Sequence, residues 1–204
     1  MAETLLISDD EDGRAGFFFR ACKEVMESYF ENQNITYSSL TTPQIHHTGI
    51  TAFAQNKESF IICSFSHGIS NALIKGNQPY ITNNLNGSAL TGGFMYSFAC
   101  STGAILGNEL TVQNGLLCYI GHSKKVYIWN NEFLDAFINC ATIGLIEFYN
   151  GKTSFEIIEI IKAEIDKEID RIYKVNYWVA ADLKKNKKSL ILHGIELCLN
   201  DLTT

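Results

Sequence analysis

Short apolar runs of strand length, each ending in polar or small residues, recur along this chain. Residues 59–66 (SFIICSFS) and 94–100 (FMYSFAC) are almost unbroken in apolar side chains. A strand with one face in water alternates apolar and polar residues, whereas a strand buried on both faces forms a continuous apolar run. The two segments are therefore predicted to be central strands of a mostly parallel sheet.

Segments with helical spacing alternate with these runs. Further strands are predicted over residues 4–8, 35–40, 116–120 and 189–199, helices over 14–30, 43–55, 103–113, 131–149 and 154–173, and an edge hairpin over 72–82. Strands alternating with helices indicate an α/β fold. We expect a three-layer αβα sandwich around a mostly parallel sheet of about six strands. A length of 204 residues fits one domain over 1–204.

Charge and composition exclude several classes of partner. The net charge of −6 is unfavourable for binding a nucleic-acid backbone, which selects clustered Lys and Arg. The basic run 184–188 (KKNKK) is interpreted as a solvated loop. No apolar stretch reaches membrane-spanning length, and the first residues do not resemble a secretory signal. We therefore expect neither a nucleic-acid nor a membrane partner, and a cytoplasmic location.

The sequence offers no familiar metal motif. Its six cysteines form no CxxC pair, and no histidine stands beside them at the spacing of a zinc site. The acidic stretch SDDEDG fails the EF-hand pattern, because Phe19 occupies the position of the bidentate Glu. It is interpreted as an acidic helix start. We expect free thiols, and no metal or other cofactor.

Two residues that could take part in catalysis lie at the ends of the two central strands. His67 follows one strand in CSFSHG, and Cys100 ends the other in SFACSTG. The carboxyl ends of parallel strands form the functional edge of such a sheet, so both side chains would face one cleft if the strands are neighbours. Only a thiolate is a strong nucleophile, and an imidazole can hold it or protonate the leaving group. A buried structural thiol and a capping histidine are the alternatives.

Small residues around this pair favour a reactive site. The backbone N–H groups of Gly68 and of Cys100 are candidates for an oxyanion hole, where glycine permits close approach of the substrate. Ser101, Thr102 and Gly103 allow a turn into the helix predicted from residue 103. The positive end of that helix would then favour the thiolate.

The combination of SHG after one strand and ACSTG after the next resembles the caspase-like cysteine proteases, a clan that includes caspases, metacaspases, gingipains and CHAT domains. The order of elements resembles the clan over nearly the whole chain. NGLLCYIGHS, FYNGKTSFEII and LILHG look most like a CHAT domain or a compact bacterial relative. The short spacing after Cys100 argues against activation by cleavage of a long linker there.

This resemblance implies hydrolysis of peptide bonds, with Cys100 as nucleophile, His67 as its acid or base and Gly68 as an oxyanion donor. Phe98 stands where relatives line the primary specificity pocket, which suggests an apolar or small preferred residue. The acidic cluster of Asp9, Asp10 and Asp12 lies near where basic-specific members place an acid, so specificity stays open. Asp9 and Asp10 are selected from it as candidate substrate contacts. His122, at the end of strand 116–120, could contact substrate, although a structural role is favoured.

We therefore expect a cysteine endopeptidase that acts on a protein or peptide. An activator or an oligomer would control it, because no sensor domain is evident. Bacterial relatives of this kind are often effectors of antiviral or cell-death systems, which is a further hypothesis. Two alternatives stay open: a catalytically silent module that binds a partner in the same cleft, and a cysteine hydrolase or acyltransferase that does not act on peptides. The intact Cys/His pair argues against the first.

Overall fold

The computed structural model describes residues 2–130 and 132–202. Its strands are β1 (Glu3–Ser8), β2 (Tyr37–Thr41), β3 (Phe60–Phe65), β4 (His67–Ile69), β5 (Ala72–Lys75), β6 (Gln78–Thr82), β7 (Gly93–Phe98), β8 (Cys118–His122) and β9 (Leu190–Gly194). Its α-helices are α1 (Gly16–Asn32), α2 (His47–Ala54), α3 (Asn83–Asn86), α4 (Leu106–Asn114), α5 (Leu134–Tyr149), α6 (Ser154–Ile172) and α7 (Tyr177–Ser189). The first residue of the predicted helix 131–149 lies outside the described residues.

A six-stranded sheet forms the centre of the molecule, in the order β2-β1-β3-β7-β8-β9. Every neighbouring pair is parallel except β8 and β9. One face packs on a core to which α1, α5, α6 and α7 contribute, and the other on a core to which α2 and α4 contribute. The predicted α/β fold, with its mostly parallel sheet of about six strands between helical layers, is confirmed.

The burial of β3 explains its apolar sequence. Ile61, Cys63 and Phe65 belong to the core on one side of the sheet, while Phe60 and Ile62 belong to the core on the other. Burying each large apolar side chain is worth about 1.5–3 kcal/mol, so both faces of the strand stabilise its central position. This position brings the end of β3 beside the end of β7, its parallel neighbour.

Helix α6 shows how local signals set an element's limits. Thr153 and Glu156 form a capping box, in which each side chain accepts a hydrogen bond from the other's backbone N–H. Ile157, Ile161 and Ile165 then recur at steps of four on the buried face. The prediction of a helix over 154–173 is confirmed to within one residue.

The prediction of a solvated loop at the basic run 184–188 is wrong, because these residues belong to α7. The Asn176 side chain caps this helix by accepting hydrogen bonds from the N–H groups of Trp178 and Val179. Val179 and Leu183 anchor one face in the core, whereas three of the four lysines in the run are exposed. The lysines are thus the polar side of an amphipathic helix.

The last strand and the hairpin depart most from the predictions. The last strand ends at Gly194, not at residue 199, because Gly194 turns the chain with a φ of 97° and Ile195 then donates to the Leu117 carbonyl. The predicted hairpin 72–82 is present as β5 and β6, but β4 adds a third strand to it. His67 therefore begins a separate antiparallel sheet.

The sequence analysis also made predictions about the cysteines and about membrane-spanning segments. All six cysteines, which lie within the described ranges, are free. Among residues 2–130 and 132–202, no helix combines the length and apolar character needed to cross a membrane.

Candidate active site

The ends of β3 and β7 bring His67 and Cys100 to one cleft. Phe65 and Phe98 are partners in the parallel register, and His67 and Cys100 each follow two residues later. Neighbouring strands lie about 4.8 Å apart, so equivalent positions on them are adjacent. The shared cleft has a volume of about 320 Å³ and is lined by Arg14, Ala15, Phe19, Ser66, His67, Phe98, Ala99, Cys100, Lys125, Val126 and Ile128.

Cys100 differs from the buried cysteines of the core. It is partly exposed, whereas Cys22, Cys63, Cys118 and Cys140 are buried. Burial raises the pKa of all four buried thiols, that of Cys118 to about 12. These four remain protonated at neutral pH and cannot act as nucleophiles.

A loop after β8 contacts the sulfur directly. The Val126 N–H donates to Cys100 Sγ over 3.3 Å, and Sγ lies 3.8 Å from the Val126 carbonyl oxygen. An N–H donor stabilises a thiolate by hydrogen bonding to its charge. The sequence reasoning missed Val126, because the loop that carries it has no periodic pattern.

The turn after Cys100 replaces the helix start that was predicted at residue 103. Ser101 has a φ of 63°, a left-handed conformation that is unfavourable for a non-glycine residue and is often found at functional sites. Its N–H donates to the Lys124 carbonyl over 3.0 Å, which fixes the turn against the loop that contacts Sγ. Helix α4 begins only at Leu106, so residues 101–105 separate the positive helix end from the thiol.

Asp12 fixes the orientation of the His67 ring. His67 Nε2 lies 3.0 Å from Asp12 Oδ1, and the ring also contacts the Phe19 ring edge to face. The same Asp12 oxygen accepts hydrogen bonds from the backbone N–H groups of Arg14 and Ala15. With Nε2 engaged, Nδ1 is the ring nitrogen available to a reacting group.

The charge on Asp12 is maintained by the same contacts. Burial acts to raise the pKa of this carboxyl, but hydrogen bonds from His67, Ala15 and Arg14 outweigh it and hold the pKa below its usual value. Asp12 is the third aspartate of the stretch SDDEDG. The sequence reasoning selected the first two, because only the geometry of the turn shows which carboxylate reaches the histidine.

Gly68 lies against the backbone of the cysteine loop. A Cβ at this position would stand 2.7 Å from the Cys100 carbonyl oxygen and 2.5 Å from Thr102 Cγ2. Only glycine permits this approach without a shift of the chain. In the described part of the chain, the Cys100 N–H donates to no backbone carbonyl. The backbones of Gly68 and Cys100 are thus in close contact, and their role as oxyanion donors stays a prediction.

The structure places Asp9 and Asp10 away from the cleft lining. Asp9 is only 2% exposed and accepts a hydrogen bond from Thr42 Oγ1 at 2.6 Å. Asp10 accepts from the Thr42 N–H, and its carbonyl accepts from Arg20. Each of these carboxylates thus places its Oδ1 on Thr42, the residue that follows β2.

Phe98 and His122 lie one behind the other. Phe98 lines the cleft, and its ring contacts His122 edge to face at a centroid distance of 5.2 Å. His122 is 4% exposed, and its Nδ1 lies 2.9 Å from Ser189 Oγ. Burial lowers the pKa of His122 to about 4, so the ring is neutral at pH 7. Phe98 therefore separates His122 from the cleft.

Comparisons with known proteins find a match at the level of the fold. No protein-family model and no curated protein matches this chain. The crystal structure of gingipain R (RgpB), described as an Arg-specific cysteine proteinase, matches with a TM-score of 0.60 and 15% identity over 94% of this chain and 46% of its own. The complex of the Porphyromonas gingivalis RgpB pro- and mature domains matches with a TM-score of 0.59 and 12% identity over 94% and 47%.

These likenesses establish the architecture. The chain has the caspase-like fold that its motifs predicted, and it spans less than half the length of the two gingipain chains. Their function does not follow from the fold alone, because one fold can carry unrelated activities.

Proposed function

We propose that the protein is a cysteine endopeptidase with Cys100 as nucleophile and His67 as its acid and base. The observation that carries this proposal is the placement of both residues at equivalent positions after the adjacent parallel strands β3 and β7, on one cleft. A partly exposed thiol with an imidazole on the same cleft and an N–H donor at its sulfur has the parts that covalent catalysis needs.

The reaction begins with transfer of the Cys100 proton to Nδ1 of His67. The thiolate attacks the scissile carbonyl carbon, and the electron pair of the C=O bond moves to oxygen, where the N–H groups of Gly68 and Cys100 stabilise the charge. As the carbonyl re-forms and the C–N bond breaks, His67 gives its proton to the departing amine. A thioester on Cys100 remains.

Hydrolysis of the thioester returns the enzyme to its starting state. His67 removes a proton from water as that water attacks the acyl carbon, and the C–S bond then breaks. The proton taken from water then passes to Cys100 and regenerates the thiol, or it stays on His67 beside the thiolate. The carboxylic acid product leaves. Asp12 acts through His67 throughout: it holds Nε2 and stabilises the imidazolium by a charge-assisted hydrogen bond.

The cleft suggests which peptides it accepts. Phe19, Phe98 and Ile128 provide an apolar lining, while Arg14 and Lys125 bring positive charge to the same cleft. We propose a substrate with an apolar side chain over Phe98 and an acidic group near the two cations. Arginine specificity, as named for gingipain R, is not carried over, because no carboxylate of the described residues lines the cleft. The nearby Asp12 is already bound to His67 and two N–H groups.

The proposal extends to regulation. An effector role in an antiviral or cell-death system, controlled by an activator protein or by oligomerisation, rests on the resemblance of the motifs. Genes for such systems beside the gene for this chain would support it, and a housekeeping neighbourhood would count against it.

Cleavage of a peptide library by wild type, Cys100→Ala and His67→Ala tests the enzymatic proposal. We expect cleavage by wild type and its loss in both variants. If wild type cleaves no peptide even with candidate activator proteins present, and Cys100 is alkylated no faster than a cysteine in an unfolded peptide, the silent partner-binding module is correct instead. Turnover of small thioesters without cleavage of peptides would favour a hydrolase or acyltransferase.

A further inference from the structure

Three potential metal ligands converge beside the proposed dyad. One ligand atom each of Asp9, Asp12 and His67 lie within 4.8 Å of one another. Two of them are already in contact, because His67 Nε2 is 3.0 Å from Asp12 Oδ1. The three residues come from two separate strand ends, those of β1 and β3, so the fold itself brings them together.

The Asp9 carboxylate lacks a partner for one of its oxygens. Asp9 is 2% exposed, and its Oδ1 accepts a hydrogen bond from Thr42. Its Oδ2 is buried and has no hydrogen-bond partner, and no ion pair involves Asp9 among residues 2–130 and 132–202. A buried carboxylate oxygen without a partner is costly, and a cation would remove that cost.

We propose that Asp9, Asp12 and His67 bind Zn²⁺, with an open position for water. One imidazole nitrogen and two carboxylate oxygens suit zinc, whereas Ca²⁺ and Mg²⁺ take oxygen ligands. Zinc lies about 2.1 Å from such ligands, so tetrahedral ligand atoms stand roughly 3.4 Å apart. The ligand atoms here lie within 4.8 Å of one another, so metal binding would require a side-chain shift of at most about 1.4 Å by Asp9 or Asp12.

Zinc at this site would switch the dyad off. A metal on Nε2 displaces the hydrogen bond to Asp12 and leaves the ring's proton on Nδ1. That nitrogen then cannot accept the proton of Cys100, so the thiolate does not form by this route. Zinc binding itself is independent of catalysis, but the inhibition rests on the proposed function.

The binding test uses chelator-treated protein titrated with Co²⁺ and then with Zn²⁺ in competition. Wild type, Cys100→Ala and Asp10→Asn are expected to bind one equivalent without a cobalt–thiolate absorption band. Asp9→Asn and His67→Gln are expected to bind at least about 10-fold more weakly. Asp10→Asn is the matched control, because it removes the neighbouring carboxylate. A circular dichroism spectrum establishes whether each variant is folded. If Asp9→Asn does not fold, His67→Gln alone tests the site.

The proposal is overturned if wild type binds no metal, if neither ligand variant weakens binding, or if Cys100→Ala abolishes it, since the metal would then lie on the thiolate. Activity is compared within each protein, with and without one equivalent of Zn²⁺. Wild type and Asp10→Asn should lose cleavage and regain it with chelator, and Asp9→Asn should resist. If the protein binds the metal but cleaves no peptide, the peptidase proposal is refuted and the zinc-site proposal stands. If it cleaves peptides equally well with and without Zn²⁺, the proposed inhibition by zinc is refuted.

Discussion

Replacement of Gly68 by alanine tests the close approach between the two strand ends. The added Cβ would lie 2.7 Å from the Cys100 carbonyl oxygen, whereas ordinary contact begins at 3.4 Å. A backbone oxygen cannot rotate away, so the two strand ends must separate by about 0.7 Å. Because a misplacement near 1 Å can cost 10²-fold, we expect roughly a 100-fold loss of kcat/KM. Overpacking should also lower the free energy of unfolding by about 1–3 kcal/mol.

The assay pairs peptide cleavage with site-resolved alkylation of Cys100, read by mass spectrometry, and with urea unfolding. Gly13→Ala is the matched control, because a Cβ at Gly13 meets nothing within 4 Å. We expect this control to retain activity and stability. Wild-type kcat/KM in Gly68→Ala would refute the claim that the backbone of Gly68 shapes the site.

Three further substitutions probe the surroundings of the dyad. Asp12→Asn keeps the oxygen that accepts the two backbone N–H groups but loses its charge, so kcat/KM should fall about 10-fold while the urea midpoint stays near that of wild type; unchanged kinetics would remove Asp12 from the mechanism. Burial lowers the pKa of His122 from 6.5 to about 4. Between these two pH values the unfolded chain binds a proton that the folded protein does not. As the pH falls from 7 to 4, His122 therefore lowers the free energy of unfolding by about 3 kcal/mol. His122→Gln should flatten that pH dependence, which urea titrations at several pH values measure. The control His47→Gln, at a partly exposed histidine of α2, should not, and equal slopes in all three proteins would refute this origin. Phe98→Ala should lower the free energy of unfolding by about 3–5 kcal/mol, because the ring is only 7% exposed; a loss below 1 kcal/mol would show that the ring is not part of the core.

The sequence was most informative about the positions of the strand ends. Continuous apolar runs identify strands buried on both faces, and the polar residues that end them identify the carboxyl edge of the sheet. His67 and Cys100 could therefore be placed at that edge before any coordinates, and the register of Phe65 with Phe98 puts them level.

Features that depend on turns or on remote packing were not predictable in this way. The choice of Asp12 among three aspartates depends on the backbone path between β1 and α1, and the Val126 N–H reaches Cys100 Sγ from a loop without a periodic pattern. The lysine-rich part of α7 was predicted to be a loop because only three apolar residues of this helix, Val179, Ala180 and Leu183, mark its buried face. Such contacts arise between segments distant in sequence, where local patterns carry little information.

The central claim is that Cys100 is a nucleophile supported by His67. A peptidyl acyloxymethyl ketone, which alkylates reactive thiols from a bound peptide-like position, measures this directly through the rate and site of labelling. The account predicts one adduct on Cys100 in wild type, none in Cys100→Ala, and labelling at least about 100-fold slower in His67→Ala, as expected for loss of general acid–base assistance. Equal labelling rates in wild type and His67→Ala, or an adduct on another cysteine, would contradict it.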